Sequence, residues 1–90
     1  MLGAREVEVG GQPITMTAKE FDLLVFLARS PRQVFSREQL LQHVWDSSSS
    51  WQDPATVTEH IRRIRRKIEA DADNPKWVVT ARGAGYRFVP

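Results

Sequence analysis

The chain has 90 residues, of which 41% are hydrophobic, and a formal net charge of +2. This length allows one domain with one modest core, so residues 1–90 are expected to form a single domain. The absence of cysteine excludes disulfides and thiolate metal sites, and the sequence shows neither an apolar run long enough to span a membrane nor a signal peptide. A cytoplasmic protein that uses no cofactor or metal is expected. Residues 1–4 are expected to lie outside the fold, as a disordered start or a remnant of cloning.

The charge is unevenly distributed along the chain. Residues 1–53 carry 5 basic and 7 acidic side chains, for a net charge of −2, whereas residues 54–90 carry 8 basic and 4 acidic ones, for a net charge of +4. This asymmetry indicates contact with a polyanion that is confined to the C-terminal part.

The first half of the sequence predicts a hairpin followed by a core helix. Residues 5–9 and 13–17 alternate between polar and apolar side chains around a pair of glycines, which is typical of a β-hairpin. Thr17 and Glu20 have the spacing of a capping box, which predicts a helix that ends before Ser30-Pro31. The residues expected to form its buried stripe are Phe21, Leu24, Val25, Leu27 and Ala28.

A second capping box, Ser36 with Gln39, predicts a shorter helix with Leu40, Leu41, Val44 and Trp45 facing inward. The preceding Val34 and Phe35 fit either a hydrophobic staple or a short strand. Arg37 lies in the first turn of this helix, where it is either a simple surface residue or a phosphate contact, since helix N-termini attract phosphates. His43 is interpreted as a surface or capping residue.

Residues 46–53 lack an apolar period and predict a loop. Trp51 is unusual within this serine-rich segment. Its ring either packs back onto the core or is exposed as an anchor for a protein partner, because tryptophan is favoured at binding hot spots.

The third predicted helix, at about residues 54–70, has two contrasting faces. It begins either at Asp53-Pro54 or at a competing capping box formed by Thr56 and Glu59. Its apolar seam consists of Val57, Ile61, Ile64 and Ile68. The opposite face carries Arg62, Arg63 and Arg66 with Glu59 among them, and Arg65 and Lys67 border the seam. Such a face fits either a solvated surface helix or a helix that lies in the major groove of DNA.

Residues 77–81 and 86–89 predict a second hairpin around a glycine-rich turn that begins at Arg82. The predicted order of hairpin, three helices and hairpin is an α+β winged helix-turn-helix, in which the last helix enters the major groove. Arg82 at the tip of the wing is placed to reach the neighbouring minor groove.

Four ordered blocks closely resemble the OmpR/PhoB-type winged-helix domain, the DNA-binding output domain of bacterial two-component response regulators. These blocks are residues 17–24, residues 36–45, residues 56–66 and the most diagnostic one, Thr80-Ala-Arg-Gly-Ala-Gly-Tyr-Arg-Phe88. The resemblance implies binding to direct repeats in promoter DNA as a head-to-tail dimer. It also implies an upstream receiver domain, which these 90 residues do not include.

The resemblance further implies roles for individual residues. Expected phosphate contacts are Thr56, His60, Arg62 and Arg65, with Tyr86 as a further one if its ring is not simply part of the core. Glu59 and Arg63 are expected to face bases, and Arg82 to enter the minor groove. The candidate DNA-binding set also includes Arg37, Thr58 and Arg66. The loop at residues 46–53 corresponds to a segment that often meets RNA polymerase, with Asp46, Trp51 and Asp53 as its candidate contacts.

Three positions depart from the family pattern. Thr58 stands where an aspartate is common. Ala55 replaces a usual arginine, so one phosphate contact is missing. Glu59 replaces a small apolar residue, and its carboxylate either accepts a hydrogen bond from cytosine N4 or repels incorrect sites.

Three other functions are less well supported by the sequence. An enzyme is not expected, since no phosphate loop or metal-spaced cluster accompanies the two histidines. A winged helix that binds protein is the main alternative, because fold alone does not determine function. The hypothesis of RNA binding has less support than that of protein binding, since few exposed aromatic residues are expected for stacking on bases.

Overall fold

The computed structural model describes residues 6–45 and 53–90. Within them, three helices lie between two antiparallel hairpins, in the predicted order. The elements are β1 (Glu6–Val9), β2 (Gln12–Thr15), α1 (Ala18–Arg29), α2 (Arg37–Val44), α3 (Ala55–Ile68), β3 (Val78–Ala81) and β4 (Gly85–Phe88). No helix in the described ranges has the length and apolar character needed to cross a membrane.

The N-terminal hairpin closes through a two-residue turn. Val9 pairs with Gln12, and Gly10 and Gly11 both have positive φ angles, of 57° and 81°. This conformation suits the right-handed twist of the paired strands and is open to glycine without steric cost. The second strand runs from Gln12 to Thr15 rather than over residues 13–17, and Met16 after it is buried in the core.

Both predicted capping boxes are present. The hydroxyl of Thr17 accepts a hydrogen bond from the backbone N–H of Glu20, and the Glu20 carboxylate accepts one from the backbone N–H of Thr17. Ser36 and Gln39 make the same reciprocal pair at the start of α2. Each box satisfies backbone donors that lack a partner within the helix, so both helices begin where the sequence predicts.

The helices pack around one core. The predicted seam of α3, formed by Val57, Ile61, Ile64 and Ile68, is buried. It meets Leu40, Leu41 and Val44 of α2 and Leu23, Leu24 and Leu27 of α1 in one cluster. Trp45 is half-buried at the edge of this cluster. Sealing the apolar side of α3 in this way leaves its other side exposed.

The predicted stripe of α1 is wrong in part. Ala28 is exposed, and Phe21 and Val25 are only partly buried, whereas Leu23 is fully buried. Seven of the residues from 21 to 28 are apolar, so their spacing does not determine which side faces inward. The packed side also includes the charged Glu20, which is 2% exposed. Its salt bridge with Lys67 of α3 compensates for the burial of its charge.

The ends of α3 also differ from prediction. The competing start is wrong, since Thr56 lies inside the helix. The other predicted start, with Asp53 as N-cap, is one residue too early, because Pro54 is the N-cap and no side chain caps the helix. The Asp53 carboxylate accepts a hydrogen bond from the backbone N–H of Ala55 at 2.9 Å just before the helix. The helix ends at Ile68 rather than near residue 70, because Glu69 is extended (ψ 142°).

The wing is joined to the start of α2. Phe35 forms a bridge with Tyr86 of β4, in which each backbone N–H donates to the carbonyl of the other. Of the predicted short strand, the structure shows this single bridge at Phe35. This bridge holds the wing beside the helix-turn-helix, to which α3 and its exposed face belong.

Candidate nucleic-acid interface

The exposed face of α3 is formed by Arg62, Arg63 and Arg66, as the sequence predicts. The side chains of Arg62 and Arg63 are 60% and 51% exposed. Guanidinium groups that are held at this spacing on a rigid helix can bind phosphate or base edges that line a groove.

Glu59 joins two of these arginines. Its Oε2 accepts a hydrogen bond from Nε of Arg63 at 3.2 Å, and its Oε1 lies 3.6 Å from Nη1 of Arg62. The Glu59 side chain is 44% exposed, so the pairing takes place on the surface itself. One carboxylate therefore orients two cationic side chains within one turn of the helix.

Arg65 differs from the other arginines because it is tied to the wing. Its Nε donates to the carbonyl oxygen of Val78 at 2.9 Å, and its Nη2 donates to Oγ1 of Thr80 at 2.8 Å. The guanidinium also lies 5.7 Å from the centre of the Tyr86 ring, within range of a cation–π interaction. Burial lowers the pKa of Arg65, against the opposing effects of Tyr86 and Glu69, and arginine stays charged at neutral pH. Arg65 therefore connects α3 to the wing.

Thr58 is the point at which α2, α3 and the wing converge. Its hydroxyl oxygen accepts a hydrogen bond from Nη1 of Arg37 at 3.3 Å and one from the phenolic O–H of Tyr86 at 3.4 Å. Tyr86 is 8% exposed, so its ring belongs to the core while its hydroxyl reaches the candidate surface. Arg37 is thereby brought to the same surface as the basic side of α3.

His60 and Thr56 lie along the first half of α3. Nδ1 of His60 is 2.8 Å from the carbonyl oxygen of Thr56, a geometry in which the ring N–H donates to the carbonyl. The ring meets the edge of the Trp45 side chain, with 4.9 Å between the ring centres. These contacts fix the imidazole at the start of the helix.

Arg82 occupies the wing turn and is exposed. The turn is closed by a hydrogen bond from the N–H of Ala84 to the carbonyl of Ala81. Gly85 follows with a φ of +144°, and a β-carbon there would lie 1.9 Å from the carbonyl oxygen of Phe35. Only glycine permits this close approach, which holds the turn against the start of α2.

Two shallow grooves lie on either side of Tyr86. The larger, of about 370 Å³, separates the start of α2 from the wing turn and includes Arg37. The other, of about 330 Å³, lies beside α3 and is lined by Arg62, Arg65 and Arg66, with Asp73 as the opposing charge. The second groove therefore has the stronger positive character.

Most of the predicted site residues thus lie on α3 or contact it. Those on or against α3 are Arg37, Thr56, Thr58, Glu59, His60, Arg62, Arg63, Arg65, Arg66 and Tyr86. Asp53 lies two residues before α3, where its carboxylate accepts a hydrogen bond from the backbone N–H of Ala55. The predictions for Asp46 and Trp51 lie outside the described residues.

Sequence reasoning missed two residues that support this surface. Glu69 is 9% exposed, and its carboxylate accepts hydrogen bonds from the backbone N–H groups of Lys76, Trp77 and Val78. Thr80 accepts the hydrogen bond from Arg65. Neither residue has a local sequence partner, so only the three-dimensional fold reveals these roles.

Comparison with known proteins agrees with this architecture. Residues 11–88 match the family model described as "Transcriptional regulatory protein, C terminal". The chain is 47% identical over 87 residues to the DNA-binding response regulator MtrA of Mycobacterium tuberculosis, a match that covers 97% of this chain. It spans only 38% of the length of that relative.

Solved structures show the same fold. The DNA-binding domain of Klebsiella pneumoniae RstA in complex with the RstA box is 30% identical, with a TM-score of 0.84 over 94% of this chain and 83% of that chain. DrrB, an OmpR/PhoB homologue from Thermotoga maritima, is 38% identical, with a TM-score of 0.80 over 89% of this chain and 36% of that chain. With the matched family model, these similarities show that the chain belongs to the family of C-terminal domains of transcriptional regulatory proteins, of the OmpR/PhoB winged-helix type.

Proposed function

We propose that this chain binds double-stranded promoter DNA in a sequence-specific manner, as the output domain of a two-component response regulator. The observation that carries the proposal is the two-sided character of α3, whose isoleucines are buried while Arg62, Arg63 and Arg66 face outward. A helix of this shape and charge fits the major groove. MtrA is a DNA-binding response regulator by name, and RstA binds its DNA box, which supports the same ligand.

In this arrangement the residues divide into three groups. Arg63 and Glu59 face base edges, while phosphate contacts come from residues around them. The proposed phosphate contacts are Arg37, Thr56, Thr58, His60, Arg62, Arg65, Arg66 and Tyr86. Arg82 enters the minor groove, where narrow A/T-rich segments attract arginine.

The wider assembly is also part of the proposal. The chain forms one domain that follows a receiver domain in the whole protein, acts in the cytoplasm and catalyses no reaction. Two copies bind direct repeats head to tail, and residues 46–53 meet RNA polymerase. MtrA, a response regulator more than twice as long as this chain, supports the part of this proposal that adds a receiver domain.

Titration with salt tests the proposed ligand. The 90-residue chain and duplexes selected by it from a random-sequence library should give a log affinity that falls linearly with log salt, with a slope of about −0.9 per neutralised phosphate. Arg66→Ala should reduce the magnitude of this slope by about 1. Lys76→Ala, an exposed change outside the proposed surface, should leave it unaltered.

A failure to bind DNA would indicate another kind of partner. If no duplex binds at low ionic strength, DNA is not the ligand. A winged helix that docks on protein is then the remaining interpretation.

A further inference from the structure

The pairing of Glu59 with Arg63 has a consequence for how bases are recognised. An arginine can approach guanine either with Nε and one Nη group or with both Nη groups. In this structure Nε of Arg63 is occupied by Oε2 of Glu59 at 3.2 Å. The two Nη groups are then the pair that remains for a bidentate contact with O6 and N7 of guanine.

The same carboxylate also lies near a second exposed cation. Its other oxygen lies 3.6 Å from Nη1 of Arg62, so one negative charge is shared between two exposed cations. A phosphate is attracted less by this group than by two unpaired arginines, whereas an end-on contact with guanine retains its geometry.

We propose that Glu59 determines specificity by acting through Arg63. It holds the guanidinium with its Nη edge outward for guanine and lowers the affinity of this face for phosphate alone. This inference rests on the proposed function, and it replaces both earlier interpretations of Glu59, because the carboxylate acts on a protein side chain rather than directly on DNA.

The test is a double-mutant cycle that is read out on DNA. A duplex selected by the wild-type chain is compared with versions in which each recurring guanine is changed to 7-deazaguanine, which removes only the N7 acceptor. At the position read by Arg63, the wild type should bind the unmodified duplex more tightly than the modified one, by less than the roughly 5- to 150-fold that a complete bidentate pair supplies. Glu59→Ala should reduce this ratio by about two- to fivefold, the effect expected from an exposed ion pair.

The cycle separates an action through Arg63 from a direct one. In the Arg63→Ala background, Glu59→Ala should leave the ratio unchanged. An equal reduction in both backgrounds would overturn the inference, because Glu59 would then act on DNA by itself. An unchanged ratio in the single Glu59→Ala variant would also overturn it.

Two further variants distinguish geometry from charge. Glu59→Gln keeps an acceptor oxygen at the same reach and should retain more of the ratio than Glu59→Ala. Asp22→Ala removes a carboxylate from an exposed position on α1 and should leave the ratio unaltered. The inference fails if Glu59→Gln behaves like Glu59→Ala, or if Asp22→Ala reduces the ratio by the same factor.

Circular dichroism of each variant, which should match that of the wild type, verifies that α3 remains folded. If the wild-type chain enriches no sequence, the proposed function is overturned and this inference with it. If the wild type selects a sequence but the cycle shows no dependence on Arg63, the inference alone fails.

Discussion

Nζ of Lys67, near the end of α3, lies 2.6 Å from Oε1 of Glu20, at the start of α1. The Glu20 side chain is 2% exposed, and the same oxygen caps the backbone of Thr17. The basic helix is therefore fixed to the first core helix by a salt bridge between residues 47 positions apart. Lys67 is 34% exposed, so this pair is intermediate between a buried and a surface pair.

Lys67→Met should lower the free energy of unfolding by about 1–3 kcal/mol, since it leaves the carboxylate of Glu20 buried without its cation. The partial exposure of Lys67 keeps the loss below that of a fully buried pair. Urea unfolding at neutral pH measures the change. Lys76→Met, at an exposed position, is the matched control and should cost less than about 0.5 kcal/mol. Equal costs for the two variants would show that the pair contributes no stability.

The same carboxylate should make stability depend on pH. Burial raises the pKa of Glu20, but hydrogen bonds from Lys67 and Thr17 and the charge of Lys67 outweigh this effect and leave the pKa below its ordinary value. A folded-state pKa below the unfolded one stabilises the protein above the unfolded value of about 4.3, and this stability is lost as the pH falls through the folded value.

Glu20→Gln removes this titration. The difference in the free energy of unfolding between wild type and Glu20→Gln should therefore shrink as the pH decreases from neutral into the acid range. Urea unfolding across a pH series measures this difference. A difference that stays constant throughout the acid range would contradict the assignment.

Gly85→Ala should be far more harmful than Gly83→Ala. A β-carbon at position 85 meets the Phe35 carbonyl, whereas position 83, with a φ of +76°, has open space around it. We expect a loss of about 1 kcal/mol for Gly83→Ala from the positive φ alone, and about 3 kcal/mol or more for Gly85→Ala. Thermal unfolding compares the two variants. Similar losses would mean that the wing does not depend on its close approach to Phe35.

Arg82→Ala should weaken binding most on duplexes whose flanks are A/T-rich. Such flanks have a narrow minor groove with a strong negative potential, which attracts an inserted arginine. We expect a loss of about 1–3 kcal/mol on these duplexes and a smaller loss on G/C-rich flanks. Fluorescence anisotropy with the two duplex types at one salt concentration gives the comparison. Equal losses would place Arg82 outside the minor groove.

The elements themselves could be predicted because their signals are local. The two capping boxes mark where α1 and α2 begin, and the isoleucine spacing of α3 identifies its buried side. The glycine pair at positions 10 and 11 fixes the first turn. The capping and turn signals each lie within four residues, and the seam of α3 follows from the period of a single helix.

What could not be predicted depends on contacts between distant segments. Glu20 is recognisable as a capping residue, but its pairing with Lys67 is not visible in the sequence. The connection from Arg65 to Val78 and Thr80 likewise requires knowledge of how the wing lies against α3. The inward side of α1 was assigned incorrectly at Ala28 because nearly all of its neighbours are apolar. The exposure of Arg62, Arg63 and Arg66 followed from periodicity, whereas the orientation of Arg63 by Glu59 did not.

The three amide groups held by Glu69 join the end of α3 to the first strand of the wing through a single side chain. Arg65 binds the same strand, so two side chains from the end of α3 hold the helix and the wing together without a ligand. A DNA duplex that binds both α3 and the wing then has to fit the distance between them, by bending or by narrowing its groove. Promoters made of pliable base steps would thus be favoured over stiffer ones even where their contacted bases are identical.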